Sequence, residues 1–399
     1  GETSRRKRSI YKEATPEDGT GQGTETLQEV LHLTREAEIL EVAELPQKQE
    51  YNGLLLDDNG MPYAIRINRT LNIVTVYSLD DEGYYTVPVR AMRCSISLDD
   101  TTPVGLFTTT EKRLEWAFLQ GNVYGQYAYQ IHGGIYFHSV PYTENKHDKL
   151  ETWEYNKLGE GASLGCIRLC VADVKWIYEN CLPGTQVYLF NSDYLGPLGR
   201  PQPYTFADVS ETGWDPTDTA DGSPYEGTAA IYGAEDHTIK IGEPFDSRTG
   251  VMAFSSDRQN VTDRLMVDGT VDNQIPGEYK LAYSFYDNGK KIERDIFIRV
   301  VDTEAPVITM LPDRLYLAGY HGDKEELADL IARNITAYDN EKQIIQYRWT
   351  PEKDTTEDAE LVIDLSRVED IPGSYEISCY AEDAAGNRSE SYTIWIELE

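Results

Sequence analysis

The stretch that decides the fold reads Gly161-Ala162-Ser163-Leu164-Gly165-Cys166-Ile167-Arg168-Leu169, and Tyr136-Phe137-His138-Ser139-Val140-Pro141-Tyr142 precedes it. The two stretches offer a thiol, Cys166, and an imidazole, His138, with 27 residues between them. Small residues before Cys166 let backbone N–H groups approach a bound carbonyl, as nucleophilic catalysis requires. A Cys and a His taken alone are more often buried structural residues, so the surrounding sequence must decide between the two interpretations.

A helical pattern follows Cys166. Its apolar side chains share one helical face: Val171, Val174, Ile177 and Tyr178. The pattern ends at Leu182-Pro183-Gly184, a typical stop signal. Cys166 is therefore predicted to lie shortly before a helix N-terminus, and both that terminus and a nearby imidazole favour the thiolate over the thiol.

Short β-like runs surround these stretches. They begin at Tyr63, are broken by the turn residues Asp80-Asp81-Glu82-Gly83, and end with Gln186-Val187-Tyr188-Leu189-Phe190. The pattern predicts a compact, mainly β domain over residues 51–195. Residues 1–50, which contain a short amphipathic pattern, are predicted to be a linker with a helix, and the Pro-, Gly- and Asp-rich residues 196–232 a second linker.

These residues together resemble the catalytic domain of the L,D-transpeptidases over about residues 60 to 192. Supporting segments occur in the family's order: Thr102-Pro103-Val104-Gly105-Leu106-Phe107, Trp176-Ile177-Tyr178 and Gly184-Thr185-Gln186-Val187. The resemblance implies a β-sandwich or barrel-like catalytic domain with a short helix after the nucleophile.

The resemblance also implies a role for each matching residue. Cys166 is expected to be the nucleophile, His138 its base, and Ser139 the neighbour that orients the imidazole. Oxyanion and substrate contacts are expected from the following residues: Gly165, Ser163, Arg168, Tyr142 and His132, with the backbone N–H of Cys166. For Arg168 a structural ion pair is an equally good interpretation, and His132 competes with His138 for the role of base.

Two departures from the family pattern stand out. Leu164 occupies the place where the signature usually has His, which affects fine tuning more than activity. The 27 residues between His138 and Cys166 exceed the usual length, and we expect this insertion to be a substrate lid. Its aromatic residues are Tyr142, His147, Trp153 and Tyr155, and the alternative is a surface loop with its own small cluster.

The implied activity is acyl transfer on peptidoglycan stem peptides through a thioester, giving 3→3 cross-links in cell-wall biogenesis and the maintenance of cell shape. Two alternatives remain: an L,D-carboxypeptidase with water as the acceptor, and a catalytically silent wall-binding or adhesive surface protein. No second His follows His147-Asp148 at a metal-ligand spacing, and no phosphate-binding or dinucleotide motif occurs. We therefore expect neither a metal nor a cofactor.

The C-terminal part repeats itself. Ile275-Pro276-Gly277-Glu278-Tyr279 recurs as Ile371-Pro372-Gly373-Ser374-Tyr375, an offset of 96 residues. The end of the chain alternates apolar and polar residues, as a half-buried strand does. Residues 233–302 and 303–399 resemble bacterial immunoglobulin-like domains, which implies two small β-sandwiches that act as spacers or contact a wall polymer.

Composition limits the partners. Asp and Glu number 69 against 36 Lys and Arg, a net charge of −33 that disfavours nucleic acids and anionic membranes. No run approaches the ~20 apolar residues that span a bilayer. Five cysteines do not suggest a disulfide framework. We expect a secreted monomer, associated with the cell wall and attached by a segment upstream of Gly1.

Overall fold

The computed structural model describes residues 54–201, 209–317, 322–350 and 358–398. The predicted N-terminal linker and helix over residues 1–50 lie outside the described residues. The chain divides into two compact units, with the boundary between Pro224 and Tyr225. Strands dominate both units, which confirms the predicted mainly β fold class. All five cysteines are free, and no helix of the described residues is long and apolar enough to cross a membrane.

The described residues of the first unit form nine strands and three short helices: β1 (Tyr63–Asn68), β2 (Ile73–Leu79), β3 (Tyr85–Arg93), β4 (Gly105–Thr108), β5 (Arg113–Leu119), β6 (Val123–His132), β7 (Ile135–Ser139), α1 (Thr152–Tyr155), β8 (Ile167–Leu169), α2 (Val171–Asn180), β9 (Gln186–Phe190) and α3 (Val209–Thr212). One sheet has the order β3-β2-β1-β9-β4 and the other β5-β6-β7-β8. Side chains from both sheets and from α2 form one apolar core, which includes Ile65, Val74, Phe137, Ile167 and Val174.

The pairing of β7 with β8 places the two sequence-predicted reactive groups. The strands are parallel, with Phe137 opposite Ile167 and His138 opposite Arg168. Because successive side chains on a strand point to opposite faces, Phe137 and Ile167 enter the core while His138 and Arg168 share the other face. Cys166, one residue before β8, belongs to the same alternation as Arg168.

The structure corrects part of the predicted linker over residues 196–232. Residues 213–218 lie on the first unit, and Trp214, Asp215, Thr217 and Asp218 are all buried. Their Asp and Thr side chains accept hydrogen bonds from residues distant in sequence, including Val171 N and Gln126 Nε2. The polar composition that resembles a linker therefore belongs to a segment that satisfies buried donors.

The second unit begins with seven elements: β10 (Ala230–Tyr232), β11 (His237–Lys240), β12 (Met252–Phe254), a 3-10 turn (Thr262–Arg264), β13 (Met266–Asp268), β14 (Gly277–Asp287) and β15 (Lys290–Val301). It continues with β16 (Val307–Met310), β17 (Arg314–Leu317), α4 (Lys324–Ala332), β18 (Thr336–Asp339), β19 (Lys342–Gln343), β20 (Gln346–Arg348), β21 (Glu360–Asp364), β22 (Gly373–Glu382) and β23 (Tyr392–Leu398). Two separate apolar clusters accompany these two groups.

The predicted repeat has a structural counterpart. The hydroxyl of Tyr279 donates to the carbonyl of Ile275 at 2.9 Å, and that of Tyr375 donates to the carbonyl of Ile371 at the same distance. The Tyr in each copy thus closes the same turn before β14 and before β22. On β23 Ile394, Ile396 and Leu398 are buried, which confirms the predicted alternation.

Candidate active site

A cavity of about 250 Å³ lies above the face of β7 and β8 that carries His138 and Arg168. Cys166, His138 and Arg168 line the cavity together, as do Ser163 and Leu164 of the loop before the thiol. Of the sequence-predicted residues, the structure therefore brings these together in one opening.

The thiol of Cys166 is half-buried, with Sγ 3.5 Å from the carbonyl oxygen of Gly134. Burial raises the pKa of Cys166, while a backbone hydrogen bond from Tyr136 and the charge of Arg168 lower it by less. The resting residue is therefore a thiol at neutral pH. This corrects the expectation that the thiolate is favoured before substrate binds.

The N-terminus of α2 does not stabilise a thiolate at Cys166, which explains why this residue rests as a thiol. β8 separates the thiol from α2, and the first N–H groups of α2 are already bound. Val171 N donates to Asp215 Oδ2 at 2.8 Å and Ala172 N to Thr217 Oγ1 at 3.0 Å. The first turn of α2 is thus capped by the side chains of Asp215 and Thr217, and burial raises the pKa of Asp215 to about 7.

His138 is buried, and its Nδ1 lies 2.6 Å from the carbonyl oxygen of Ser139. A carbonyl oxygen only accepts, so Nδ1 carries the proton and Nε2 is left with the lone pair. Burial lowers the pKa of His138 to about 4, which the hydrogen bond to Ser139 only partly offsets. The imidazole is therefore neutral and able to accept a proton at pH 7.

Ser139 is fully buried and does not reach the cavity with its hydroxyl. Ser139 Oγ accepts from Gln126 N at 2.9 Å and donates to the carbonyl of Val140 at 2.8 Å. Its contact with the imidazole of His138 runs through its carbonyl. The hydroxyl of Ser139 therefore links β6 to β7, and its carbonyl fixes the imidazole ring of His138.

The loop before the thiol is fixed by hydroxyl groups. Ser163 Oγ accepts from Gly165 N at 3.1 Å and donates to the carbonyl of Cys166 at 2.6 Å. Thr101 and Thr102 donate to the carbonyls of Leu164 and Gly165 at 3.0 and 2.9 Å. Ser163 thus builds the loop, and the N–H of Gly165 is engaged in the resting structure.

Gly165 has a positive φ of 138°, a conformation that L side chains rarely adopt. A Cβ at this position would lie 3.1 Å from Ile135 Cδ1 and 3.4 Å from Thr101 Oγ1. The conformation therefore favours glycine immediately before Cys166, and a larger residue would also crowd Ile135.

Arg168 forms an ion pair and also lines the cavity, so the structure agrees with both interpretations of this residue. Its guanidinium is 2.5 Å from Glu154 Oε2 of α1, in an ion pair where both side chains are largely buried. It also lines the cavity and lowers the pKa of both Cys166 and His138. The ion pair holds the cation at the site.

Tyr142 does not contact the cavity, contrary to the prediction. It is 0% exposed, and its hydroxyl accepts from Gln126 Nε2 at 2.9 Å. His132 is exposed at the end of β6, where its ring lies 4.9 Å from that of Phe107 in a tilted arrangement, and it does not line the cavity with Cys166. The ring of Tyr142 instead packs against Trp116 on β5.

The insertion after His138 does not form the predicted lid over the cavity. His147 pairs with Asp218 at 2.7 Å, and Tyr155 is buried. Trp153 is 57% exposed but does not line the cavity. The alternative interpretation, a surface loop with its own cluster, describes this segment.

The cavity wall that the sequence did not predict is the β5–β6 hairpin. Its lining residues include Leu114, Phe118, Leu119 and Val123, with Lys112 just before β5. Phe118 and Leu114 are 65% and 46% exposed. The sequence signal that could have indicated this wall is the presence of large apolar side chains at positions of β5 that face solvent. Exposed apolar side chains often form a binding surface.

Carboxylates close enough to share a cation occur, among the described residues, in the second unit: Asp302, Asp339 and Asp383. Burial, and then the charges of Asp302 and Asp383, raise the pKa of Asp339 to about 6. No carboxylate lines the cavity of Cys166 within the described part of the chain.

Comparison with known proteins gives two family matches. The L,D-transpeptidase catalytic domain matches residues 62–189, and the Ig-like domain of bacterial surface proteins matches residues 229–301. YciB of Bacillus subtilis (strain 168), provisionally named an L,D-transpeptidase, is 45% identical over 94 residues, which are 23% of this chain and 47% of YciB. The chain therefore spans about half the length of this curated relative.

Solved structures also match part of the chain. An L,D-transpeptidase from Mycobacterium smegmatis is 19% identical with a TM-score of 0.27, over 33% of this chain and 59% of that one. An L,D-transpeptidase from Mycobacterium tuberculosis H37Rv is 23% identical with a TM-score of 0.26, over 33% of this chain and 59% of that one.

Proposed function

We propose that this chain, in which residues 62–189 form an L,D-transpeptidase catalytic domain followed by a bacterial surface Ig-like domain at residues 229–301, joins peptidoglycan stem peptides through 3→3 cross-links. The observation that carries the proposal is the shared cavity of Cys166 and His138. A thiol and a neutral imidazole on one strand face, beneath an apolar wall, are the groups that acyl transfer needs.

In the first half of the reaction Cys166 Sγ attacks the carbonyl between the third, L-centred and fourth, D-centred residues of a tetrapeptide stem. Nε2 of His138 accepts the thiol proton as the S–C bond forms. The C–N bond then breaks, and the imidazolium returns the proton to the departing D-Ala amine. A thioester to Cys166 remains.

In the second half an amine on the third residue of a neighbouring stem attacks the thioester. His138 accepts a proton from the amine, the C–S bond breaks, and the proton returns to the sulfur. The products are a 3→3 linked dimer and the original thiol. No redox group or metal enters this balance.

The developing oxyanion is assigned to the backbone N–H groups of Gly165 and Cys166. Because Gly165 N donates to Ser163 Oγ at rest, that hydrogen bond is exchanged for one to the substrate oxygen. The positive φ of Gly165 sets the direction of this N–H.

The charge of the cavity supports an anionic substrate. Lys112 and Arg168 are the charged groups among its lining residues, although the whole chain carries a net charge of −33. A stem peptide with free carboxylates would meet the ammonium of Lys112 there, beside the guanidinium of Arg168, which Glu154 already pairs.

Mass spectrometry of muropeptides incubated with the full chain tests the proposal. Cross-linked dimers support it, tetrapeptides shortened by one residue indicate an L,D-carboxypeptidase, and unchanged stems indicate a wall-binding protein. Cys166→Ala should abolish every product. Cys379→Ala, a buried thiol in the second unit, is the matched control and should retain them.

The Ig-like domain supports a location at the cell surface, with contact to a wall polymer or a spacer role. For residues 303–399 the immunoglobulin-like assignment remains a proposal. It is supported by the equivalent Tyr279 and Tyr375 turns and by a cluster of buried residues that β21, β22 and β23 share.

A further inference from the structure

Residues 213–218, here named the strap, follow the matched catalytic domain and yet carry two almost fully buried carboxylates. Asp215 is 0% and Asp218 is 3% exposed. Buried carboxylates are costly unless they are paired or hydrogen-bonded, so their contacts indicate what the strap does.

Asp218 connects two elements of the catalytic domain. Its Oδ2 accepts from Gln126 Nε2 of β6 at 2.9 Å and lies 2.7 Å from His147 Nδ1 in the insertion. The hydrogen bond to Asp218 raises the pKa of His147, and Trp214 of the strap stacks on the His147 ring at 5.5 Å. One carboxylate thus fixes both Gln126 and the imidazole of His147.

Gln126 leads from the strap to the proposed base. The backbone N–H of Gln126 donates to Ser139 Oγ, and the carbonyl of Ser139 holds Nδ1 of His138. A series of three hydrogen bonds therefore joins Asp218 to the imidazole. The side chain of Gln126 also donates to Tyr142, so a movement of Gln126 is resisted on two sides.

Two other residues of the strap, Asp215 and Thr217, contact the helix that follows Cys166 and β8. Asp215 and Thr217 accept from the first two N–H groups of α2, which follows β8 and therefore Cys166. The hydroxyl of Thr217 also donates to Asp215 Oδ1 at 2.7 Å. The strap thus binds both β6, which pairs with the strand of the base, and the helix that follows the nucleophile.

We infer that the strap is a positioning element of the active site, in which Asp218 acts through Gln126 and Ser139 as the positioning residue for His138. The inference rests on the proposed role of His138 as base, and not on the identity of the acceptor. Asp215 and Thr217 fix α2, so that Cys166 and His138 keep one relative placement.

Alkylation of Cys166 by iodoacetamide tests this inference without a substrate. The other four cysteines are buried, so the folded full chain should react at Cys166, which peptide mapping verifies. In Asp218→Asn we expect the rate at pH 7 per folded molecule to fall roughly tenfold and its pH profile to move to higher pH, because a misplaced imidazole assists the thiol less.

The matched control is Asp221→Asn, an exposed carboxylate three residues further on, which should leave the profile unchanged. The double variant Gln126→Glu with Asp218→Asn reverses the polarity of the pair and should recover part of the rate. If Asp218→Asn lowers only the melting temperature and leaves the alkylation profile as in the wild type, the strap is a stabilising clamp and the inference is wrong.

The same experiment separates this inference from the proposed function. A shifted alkylation profile in Asp218→Asn, together with muropeptides that stay unchanged by the wild type, would retain the positioning role and reject the transpeptidase. Cross-linking by the wild type with an unshifted profile would do the reverse.

Discussion

At the scale of single residues, burial determines the resting protonation of Cys166 and His138, the proposed nucleophile and base. Because the pKa of His138 is lowered to about 4, its base form exists at every pH above that value. We predict that kcat/KM for the donor stem, which reports formation of the thioester, keeps its plateau through pH 6 and falls only as pH approaches 4. Initial rates from pH 3.5 to 8 measure this; an acid limb centred at 6.5 would contradict it.

The titration of His138 also changes the free energy of unfolding. The pH dependence of unfolding therefore provides the control for the pH dependence of kcat/KM. A folded pKa of about 4 lies below the ordinary 6.5, so the neutral ring contributes stability that is complete above pH 6.5 and is lost as pH falls toward 4. The loss is about 3 kcal/mol. Denaturation at each pH separates it from catalysis, and His138→Gln should lack this part of the pH dependence.

Lys112 provides a second test at this scale. Its exposed ammonium lies 5.4 Å from the Tyr136 ring centroid on the cavity wall. We predict that Lys112→Gln raises KM for stems with free carboxylates by about threefold to tenfold and leaves kcat nearly unchanged, because an exposed charge pair contributes about 1 kcal/mol. The effect should shrink in high salt.

Lys146→Gln, an exposed cation of the insertion that does not line the cavity, is the matched control for Lys112→Gln. An equal effect of Lys112→Gln on stems whose carboxylates are amidated would show that the charge is not what the enzyme recognises.

At the scale of elements, we predict that the β5–β6 hairpin, which lines the cavity, covers the substrate and that the insertion does not. Phe118→Ala should raise KM about tenfold with little change in melting temperature, because the ring is 65% exposed and loses few internal contacts. Phe297→Ala, 43% exposed on β15 of the second unit, is the control. Steady-state kinetics and thermal denaturation measure the two effects; a large loss of stability in Phe118→Ala would refute the covering role.

The sequence predicted the elements that depend on local pattern. The apolar period after Cys166 sufficed to predict a helix there, which α2 confirms, but not the short strand β8 that lies between the thiol and that helix. It could not predict that α2 is capped by Asp215, because that contact joins residues 44 apart in the chain. The insertion was wrongly interpreted as a lid because aromatic content alone does not distinguish a ring that packs, such as Tyr142, from one that binds substrate.

At the scale of the whole molecule, the boundary of the catalytic unit decides where the chain can be cut. The family match ends at residue 189, but buried contacts to the catalytic domain continue to Asp218, and the compact unit ends at Pro224. We predict that a fragment of residues 51–224 folds and cross-links soluble stems at a rate near that of the full chain.

A fragment of residues 51–200 should lose most of that activity and melt at a lower temperature. Without the strap, Gln126 Nε2 and the first N–H groups of α2 lose their buried acceptors, and each unmet donor costs about 1–3 kcal/mol. Adding residues 209–224 as a separate peptide should recover part of the activity. Equal activity and stability of the two fragments would mean that the catalytic unit ends with β9 and that the buried carboxylates of the strap support neither the fold nor the site.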